Sequence, residues 1–191
     1  MQKNPATSSI AVINQAAGGN RVLYDGLGPN ALSRIDRDVL SQSGVRYVMI
    51  FEGVNDVGTA TNDSYTQSMT YQRLITAYDQ IVSRVHTFNI PIFAATLTPF
   101  CAPDSTIQSY SDPTREQTRQ KVNSWIRYSG RFDAVVDLDK VLADPEVPSQ
   151  LRSEYNSGDF LHPNVAGYQR IANEFPLDVF EEFAGGVGGF S

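Results

Sequence analysis

Four short apolar runs recur along the chain, and longer segments separate them. Each run is rich in apolar, mostly β-branched residues and is closed by polar or small residues, which is the pattern of a buried strand. The four predicted strands are Ile10–Asn14, Val45–Phe51, Ile90–Leu97 and Phe132–Leu138.

The intervening segments carry the spacing and the caps of helices. A first helix is predicted to start at Asn30 and to stop at Gly44. A second covers Thr66–Thr87, a third begins at Asp112-Pro113, and a last one follows Asn164. Strands that alternate with helices of this length predict an α/β fold, with a parallel sheet and helices on both of its faces.

Length and composition limit the domain organisation of the chain and the kinds of partner it could bind. The 191 residues suit one domain, predicted to cover 1–184, and the Gly-rich end 185–191 is typical of a tail or the start of a linker. The net charge is -6 and Lys and Arg do not cluster, which argues against nucleic acid. No apolar run is long enough to cross a membrane. Cys101 is the single cysteine, so an internal disulfide and a Cys-rich metal site are both excluded. We expect no metal and no cofactor.

Three polar segments follow predicted strands or precede the last helix. They are Gly18-Gly19, Gly53–Asp56 and Asp159–Asn164. In open parallel sheets ligands bind beyond the carboxyl ends of the strands, and all three segments are predicted to lie at that edge.

The residue types in these segments suit acyl-transfer chemistry. Asp159 stands three residues before His162, so it could bond one ring nitrogen and leave the other free as a base. The backbone N–H of Gly19 and the side-chain amide of Asn55 could donate to a developing oxyanion. Taken singly, each of these residues is also compatible with a tight turn or a helix cap. Asp56 is interpreted as a cap or a backbone brace, and His86, Ser8 and Ser9 as structural.

The three segments together resemble a known family. Gly53–Asp56 (GVND) and Asp159–Asn164 (DFLHPN) are similar to blocks III and V of the SGNH, or GDSL-type, hydrolases, and Asn14–Asn20 (NQAAGGN) is similar to block II. The resemblance implies a three-layer flavodoxin-like fold and ester hydrolysis through an acyl-serine. It implies that Gly19 and Asn55 form the oxyanion hole, with His162 as base and Asp159 as its orienter. It also implies an extracellular esterase that acts on small acyl or acetylated-carbohydrate esters.

The chain departs from the family in one respect: it contains no Gly-Asp-Ser, the block that carries the nucleophilic serine. The sequence therefore predicts a family member that lacks its N-terminal unit and first strand. The family strand order, 2-1-3-4-5, would place that strand between Ile10–Asn14 and Val45–Phe51. We expect these two strands to pair directly, or a second chain to fill the gap by self-association.

Two other classes of function compete with the esterase. The first is a non-catalytic relative that keeps the pocket and binds an ester, an acetylated sugar or a partner protein. The second is a flavodoxin-like binder of phosphate or flavin, but neither a P-loop nor a G-x-G-x-x-G opens any predicted helix.

Overall fold

The computed structural model describes residues 1 and 3–187, and within them three parallel strands form one sheet. The strands are β1 (Val48–Ile50), β2 (Ile92–Ala95) and β3 (Ala134–Val136), in the spatial order β1-β2-β3. All four residues of β2 are buried, because helices cover both faces of this central strand. Three of the four predicted strands are thus confirmed, with shorter bounds.

The four predicted helices are present, and the described residues form three further short helices that were not predicted. In chain order the helices are α1 (Ala31–Ile35), α2 (Val54–Thr59), α3 (Ser64–His86), α4 (Pro113–Tyr128), α5 (Leu138–Leu142), α6 (Val165–Glu174) and α7 (Val179–Glu182). A π-helical turn over Asp36–Leu40 continues α1, and a 3-10 turn over Ser153–Tyr155 precedes α6. The caps read from the sequence are also present, since Asn30, Asp112 and Asn164 each accept a backbone N–H from the first turn of their helix.

Two apolar layers flank the sheet. On one face, Ile92 and Ala94 belong to a large core shared with α1, α2, α3 and α4. On the opposite face, Phe93 packs with α7, and Ala95 packs with residues of β3, α5 and α6. The period of two along β2 sends successive side chains to opposite layers. This arrangement confirms the predicted α/β architecture with helices on both faces.

The predicted strand Ile10–Asn14 is wrong. These residues form no strand, and Val12 and Ile13 are 74% and 59% exposed. A strand is stable only when its backbone pairs with a neighbour and one of its faces is covered, and this segment has neither. The expected pairing with the Val48 strand is therefore also wrong, because within the described residues β1 pairs with β2 alone.

A buried ionic network joins α4 to the carboxyl ends of β2 and β3. Arg119 is completely buried and donates to Glu116, to the Leu97 carbonyl and to Asp139. Arg127 reaches Asp139 from the same helix, with 2.7 Å between Nη2 and Oδ2. Because each buried charge has opposite charges or a carbonyl as partners, the network is electrostatically satisfied.

The end of the chain is partly docked. The N–H of Val187 donates to the Asn89 side chain, and Arg46 donates to the Ala184 carbonyl. The rest of the predicted tail, 188–191, lies outside the described residues. Among the helices that are described, none is long and apolar enough to cross a membrane.

Candidate active site

Asp159 and His162 form a hydrogen-bonded pair in the loop before α6. The Asp159 Oδ2 atom lies 2.6 Å from Nδ1 of His162, and Oδ1 accepts the backbone N–H groups of Leu161 and His162 itself, each at 2.9 Å. The Nε2 atom of His162 has no protein partner among the described residues, and the side chain is 67% exposed. The pair therefore leaves one imidazole nitrogen open to solvent and to a ligand.

The same contacts fix the charge of Asp159. Burial of the carboxyl raises the pKa of Asp159, but the hydrogen bonds from His162, Leu161 and Ser157 lower it by more and hold it far below its usual range. The carboxylate is thus ionised at neutral pH and can accept a hydrogen bond from Nδ1–H of His162. When the ring carries a single proton, on Nδ1, Nε2 is its basic nitrogen.

Short-range backbone contacts hold the loop that carries the pair. Asn156 accepts the N–H groups of Gly158 and Phe160, and the N–H of Ser157 donates to the His162 carbonyl. Asn164 caps α6 two residues after the histidine. The histidine is consequently held at a rigid corner, as its sequence neighbours predict.

The two predicted oxyanion donors, Gly19 and Asn55, lie near the same turn. Gly19 has a φ of +69°, the left-handed conformation expected of it, and a side chain there would meet Leu27 at 2.7 Å. Its N–H donates to no other described residue. Asn55, on the first turn of α2, donates from Nδ2 to the Asn20 carbonyl at 2.9 Å. Because an amide carries two N–H hydrogens, Asn55 keeps one donor beside the Gly19 turn.

Asp56 braces the segment that follows this turn. Its two carboxylate oxygens accept the N–H groups of Val22 and Leu23, at 2.8 and 2.9 Å. Burial raises the pKa of Asp56, and these two bonds oppose that shift. The interpretation of Asp56 as a backbone brace is confirmed. The expected turn at Gly53–Asp56 is in fact the start of α2, with Gly53 as its N-cap.

The loop before α4 contacts both Asn55 and Asp159, and the sequence did not predict these contacts. The Tyr110 hydroxyl donates to Asn55 Oδ1 at 3.0 Å, and its ring lies directly over Gly58, where a Cβ would come within 2.1 Å of it. Gln108 accepts the N–H of Tyr110 and donates to the Asp159 carbonyl at 2.8 Å. Through these contacts Asn55 is connected to the loop of the His–Asp pair.

Arg115, on α4, connects the loop between α2 and α3 (residues 60–63) to the loop before α4. Its guanidinium donates twice to the Ala60 carbonyl, and once to the Ser109 carbonyl at 2.8 Å. The two loops are thus joined by a single side chain on α4.

Glu52 is a further titratable group that the sequence did not single out. It follows β1, is partly buried, and its carboxylate forms no hydrogen bond within the described residues. Burial raises its pKa to about 7, Arg34 opposes the shift, and the negative charge of Asp56 adds to it.

The other serine and histidine side chains considered for catalysis make structural contacts. Ser8 donates to the Pro5 carbonyl, and Ser157 donates to Asp159 rather than to the base. His86 is paired with Asp133, with 2.9 Å between Nε2 and Oδ2. These contacts agree with the interpretation of Ser8 and His86 as structural, and none of them supplies a nucleophile to His162.

Sequence comparison identifies the family of this α/β protein. A model of the GDSL-like lipase/acylhydrolase family matches residues 3–170. The chain therefore belongs to the GDSL-like lipase/acylhydrolase family. No curated protein matches it.

Solved structures share the fold at low sequence identity. A GDSL-like lipase from Bacteroides thetaiotaomicron is 20% identical with a TM-score of 0.59, over 79% of this chain and 69% of its own. A Streptococcus pneumoniae protein, proposed to be a platelet activating factor, is 18% identical with a TM-score of 0.65, over 94% and 77%. An α/β hydrolase from the Lake Arreo metagenome is 21% identical with a TM-score of 0.53, over 85% and 69%. These likenesses establish the fold.

Proposed function

We propose that this chain carries the base, the orienting carboxylate and the oxyanion donors of a carboxylic-ester hydrolase that acts on small acyl or acetylated-carbohydrate esters. The observation that carries the proposal is the Asp159–His162 pair, with 2.6 Å between Oδ2 and Nδ1 and an exposed Nε2. Family membership supports hydrolysis, and the position of Asn55 beside the Gly19 turn supports an oxyanion hole.

In the proposed mechanism, Nε2 of His162 removes the proton of a serine hydroxyl as its oxygen attacks the ester carbonyl. The Gly19 N–H and the free N–H of Asn55 donate to the oxyanion, and Asp159 stabilises the imidazolium. The imidazolium then returns its proton to the leaving alcohol. Water hydrolyses the acyl-serine, with His162 again as base.

The serine itself is not supplied by these 191 residues, which contain no Gly-Asp-Ser. We therefore expect the chain alone to hydrolyse p-nitrophenyl acetate near the background rate, with no burst and no fluorophosphonate adduct. Fusing a strand–Gly-Asp-Ser–helix segment to its N-terminus should create both activities, and His162→Ala in that fusion should abolish them. A burst and a stoichiometric serine adduct in the unmodified chain would show that another serine is the nucleophile.

The absence of Gly-Asp-Ser also favours a second candidate, a binding protein that has lost catalysis. This candidate predicts that the fusion binds an ester without releasing p-nitrophenol, even when its serine is correctly placed. Single-turnover measurements on the fusion distinguish the two, because an esterase forms an acyl-enzyme within one turnover.

We also propose that the free edge of β1 supports self-association. Met49 and Phe51 are each 42% exposed beside an edge with no strand partner in the described chain. Light scattering over a range of concentrations tests this proposal, which fails if the mass stays that of a monomer and Met49→Lys changes nothing. A separate proposal, which rests on family resemblance, is that the protein works outside the cell. Fractionation of the producing culture tests it.

A further inference from the structure

Two arginines meet at one exposed tyrosine near the candidate oxyanion donors. The guanidinium carbon of Arg21 lies 5.6 Å from the ring centroid of Tyr24, and Nη1 of Arg73 donates to the Tyr24 hydroxyl. Tyr24 is 48% exposed. The ring thus holds the Arg21 guanidinium in place by a cation–π contact, with Arg73 at its polar end.

Neither arginine has a carboxylate within ion-pair distance in the described part of the chain. This is unusual for a protein of net charge -6, in which most other arginines are paired with an acid. The acids that act electrostatically on Arg21 have other partners, since Asp25 accepts the N–H of Asn30 and Asp56 accepts two backbone N–H groups. Nη2 of Arg21 donates to the Asp25 backbone carbonyl, so both arginines have neutral hydrogen-bond partners but no direct acidic partner among the described residues.

Arg21 also lies within reach of Asn55. Its Nη1 atom is 3.5 Å from the Thr59 hydroxyl, which donates to the Asn55 carbonyl at 2.6 Å. Thr59 stands four residues after Asn55, on the same face of α2, and such residues have Cβ atoms about 5–6 Å apart. An ester whose carbonyl oxygen binds Asn55 could place a second group, two or three bonds away, against the Arg21 guanidinium.

We propose that Arg21 and Arg73 form a subsite for a carboxylate carried by the substrate, so that the preferred esters are anionic. The inference rests on the proposed function, since it assumes that the ester carbonyl lies at Asn55. Each terminal nitrogen of Arg21 already donates once, to Thr59 or to the Asp25 carbonyl, but carries a second N–H that can donate to a carboxylate oxygen. Arg21 is the nearer and principal ligand, and Arg73 adds charge from the outer side.

The test measures how the unmodified chain binds two matched pairs of small esters. Monomethyl succinate carries the carboxylate on the acyl side and O-acetylglycolate carries it on the alcohol side, and each is compared with the neutral ester in which an amide replaces the carboxylate. We expect at least one carboxylate ester to bind about tenfold more tightly than its amide, with a preference that weakens as salt is added. The pair with the larger preference identifies the side of the ester that carries the charge.

Arg21→Gln should reduce this preference to about one, and Arg73→Gln should reduce it partly. Lys121→Gln is the matched control, because it removes one charge from an exposed position on α4 and should leave the preference intact. The proposal is overturned if neither carboxylate ester is preferred or bound, if the preference survives in Arg21→Gln, or if Lys121→Gln removes it equally.

Asn55→Ala separates this inference from the proposed function. If Asn55 binds the ester carbonyl, the variant weakens the charged and the neutral esters by the same factor and keeps the preference. If the variant binds both esters as the unmodified chain does and the preference remains, the oxyanion role of Asn55 fails while the carboxylate subsite stands.

Discussion

Replacing Glu52 by Gln should stabilise the protein, and the gain should depend on pH. The structure buries the Glu52 carboxyl beside Asp56, and burial raises its pKa from 4.5 to about 7. Gln has nearly the same shape as the protonated acid but does not ionise. Above pH 7 the substitution therefore removes a charge that the fold holds at a cost, whereas in acid it replaces one neutral group by another.

The direction follows from proton linkage. Between pH 4.5 and 7 the unfolded chain releases the Glu52 proton while the folded chain retains it, so this group makes stability fall as the pH rises through that window. The upper limit of the loss is about 3 kcal/mol. The carboxyl keeps some contact with solvent, which reduces the expected effect to about 1–2 kcal/mol. In a chain of this length that corresponds to a rise in Tm of roughly 2–8 °C.

Urea unfolding of the wild type and of Glu52→Gln at a series of pH values measures the effect. The gain in unfolding free energy should be largest near about pH 8 and shrink steadily toward about pH 4.5. Glu146→Gln is the matched control, since Glu146 is exposed and its replacement should change stability by less than about 0.5 kcal/mol at any pH. An equal gain at both ends of the range, or none at either, would refute the reasoning.

Two further predictions concern stability. Arg119→Met should lower the free energy of unfolding in urea by about 3–5 kcal/mol, because it leaves the buried Asp139 carboxylate without this partner. Arg170→Met, at an exposed ion pair, should lower it by less than about 1 kcal/mol. Similar losses in both variants would contradict the role of burial. Gly58→Ala should destabilise the chain by about 1–3 kcal/mol, because the new methyl group displaces the Tyr110 ring. In a Tyr110→Ala background the same change should instead stabilise α2 by up to about 1 kcal/mol, and a loss in both backgrounds would exclude the ring as the cause.

The parts of the site that the sequence predicted are those built from near neighbours. Asp159, His162 and Asn164 lie within six residues, so the hydrogen bond and the cap can be inferred from spacing alone. Tyr110 is different, because its contact with Asn55 joins residues 55 positions apart and depends on how α2 and the loop before α4 pack. No local pattern carries that information.

The prediction of the fold likewise succeeded where local pattern was enough and failed where a distant partner decides the outcome. The strands that became β1, β2 and β3 are apolar and also have partners, whereas Ile10–Asn14 is equally apolar and stays exposed because no strand lies beside it. Strand propensity therefore describes what a segment can do if the sheet offers it a place. Helix α2 was missed for another reason, since the six residues that follow its glycine N-cap are too few to show a helical period.

The bonds from Arg115 have a consequence for how specificity can change. The loop between α2 and α3 and the loop before α4 are far apart in sequence, but one guanidinium fixes the carbonyls of Ala60 and Ser109 relative to each other. Both acceptors are backbone carbonyls, so a loop transplanted from a relative keeps its bond to Arg115 only if its backbone follows the same path. The shape of each loop is therefore constrained at one carbonyl, whatever side chains the loop carries, and loss of Arg115 would release both loops at once.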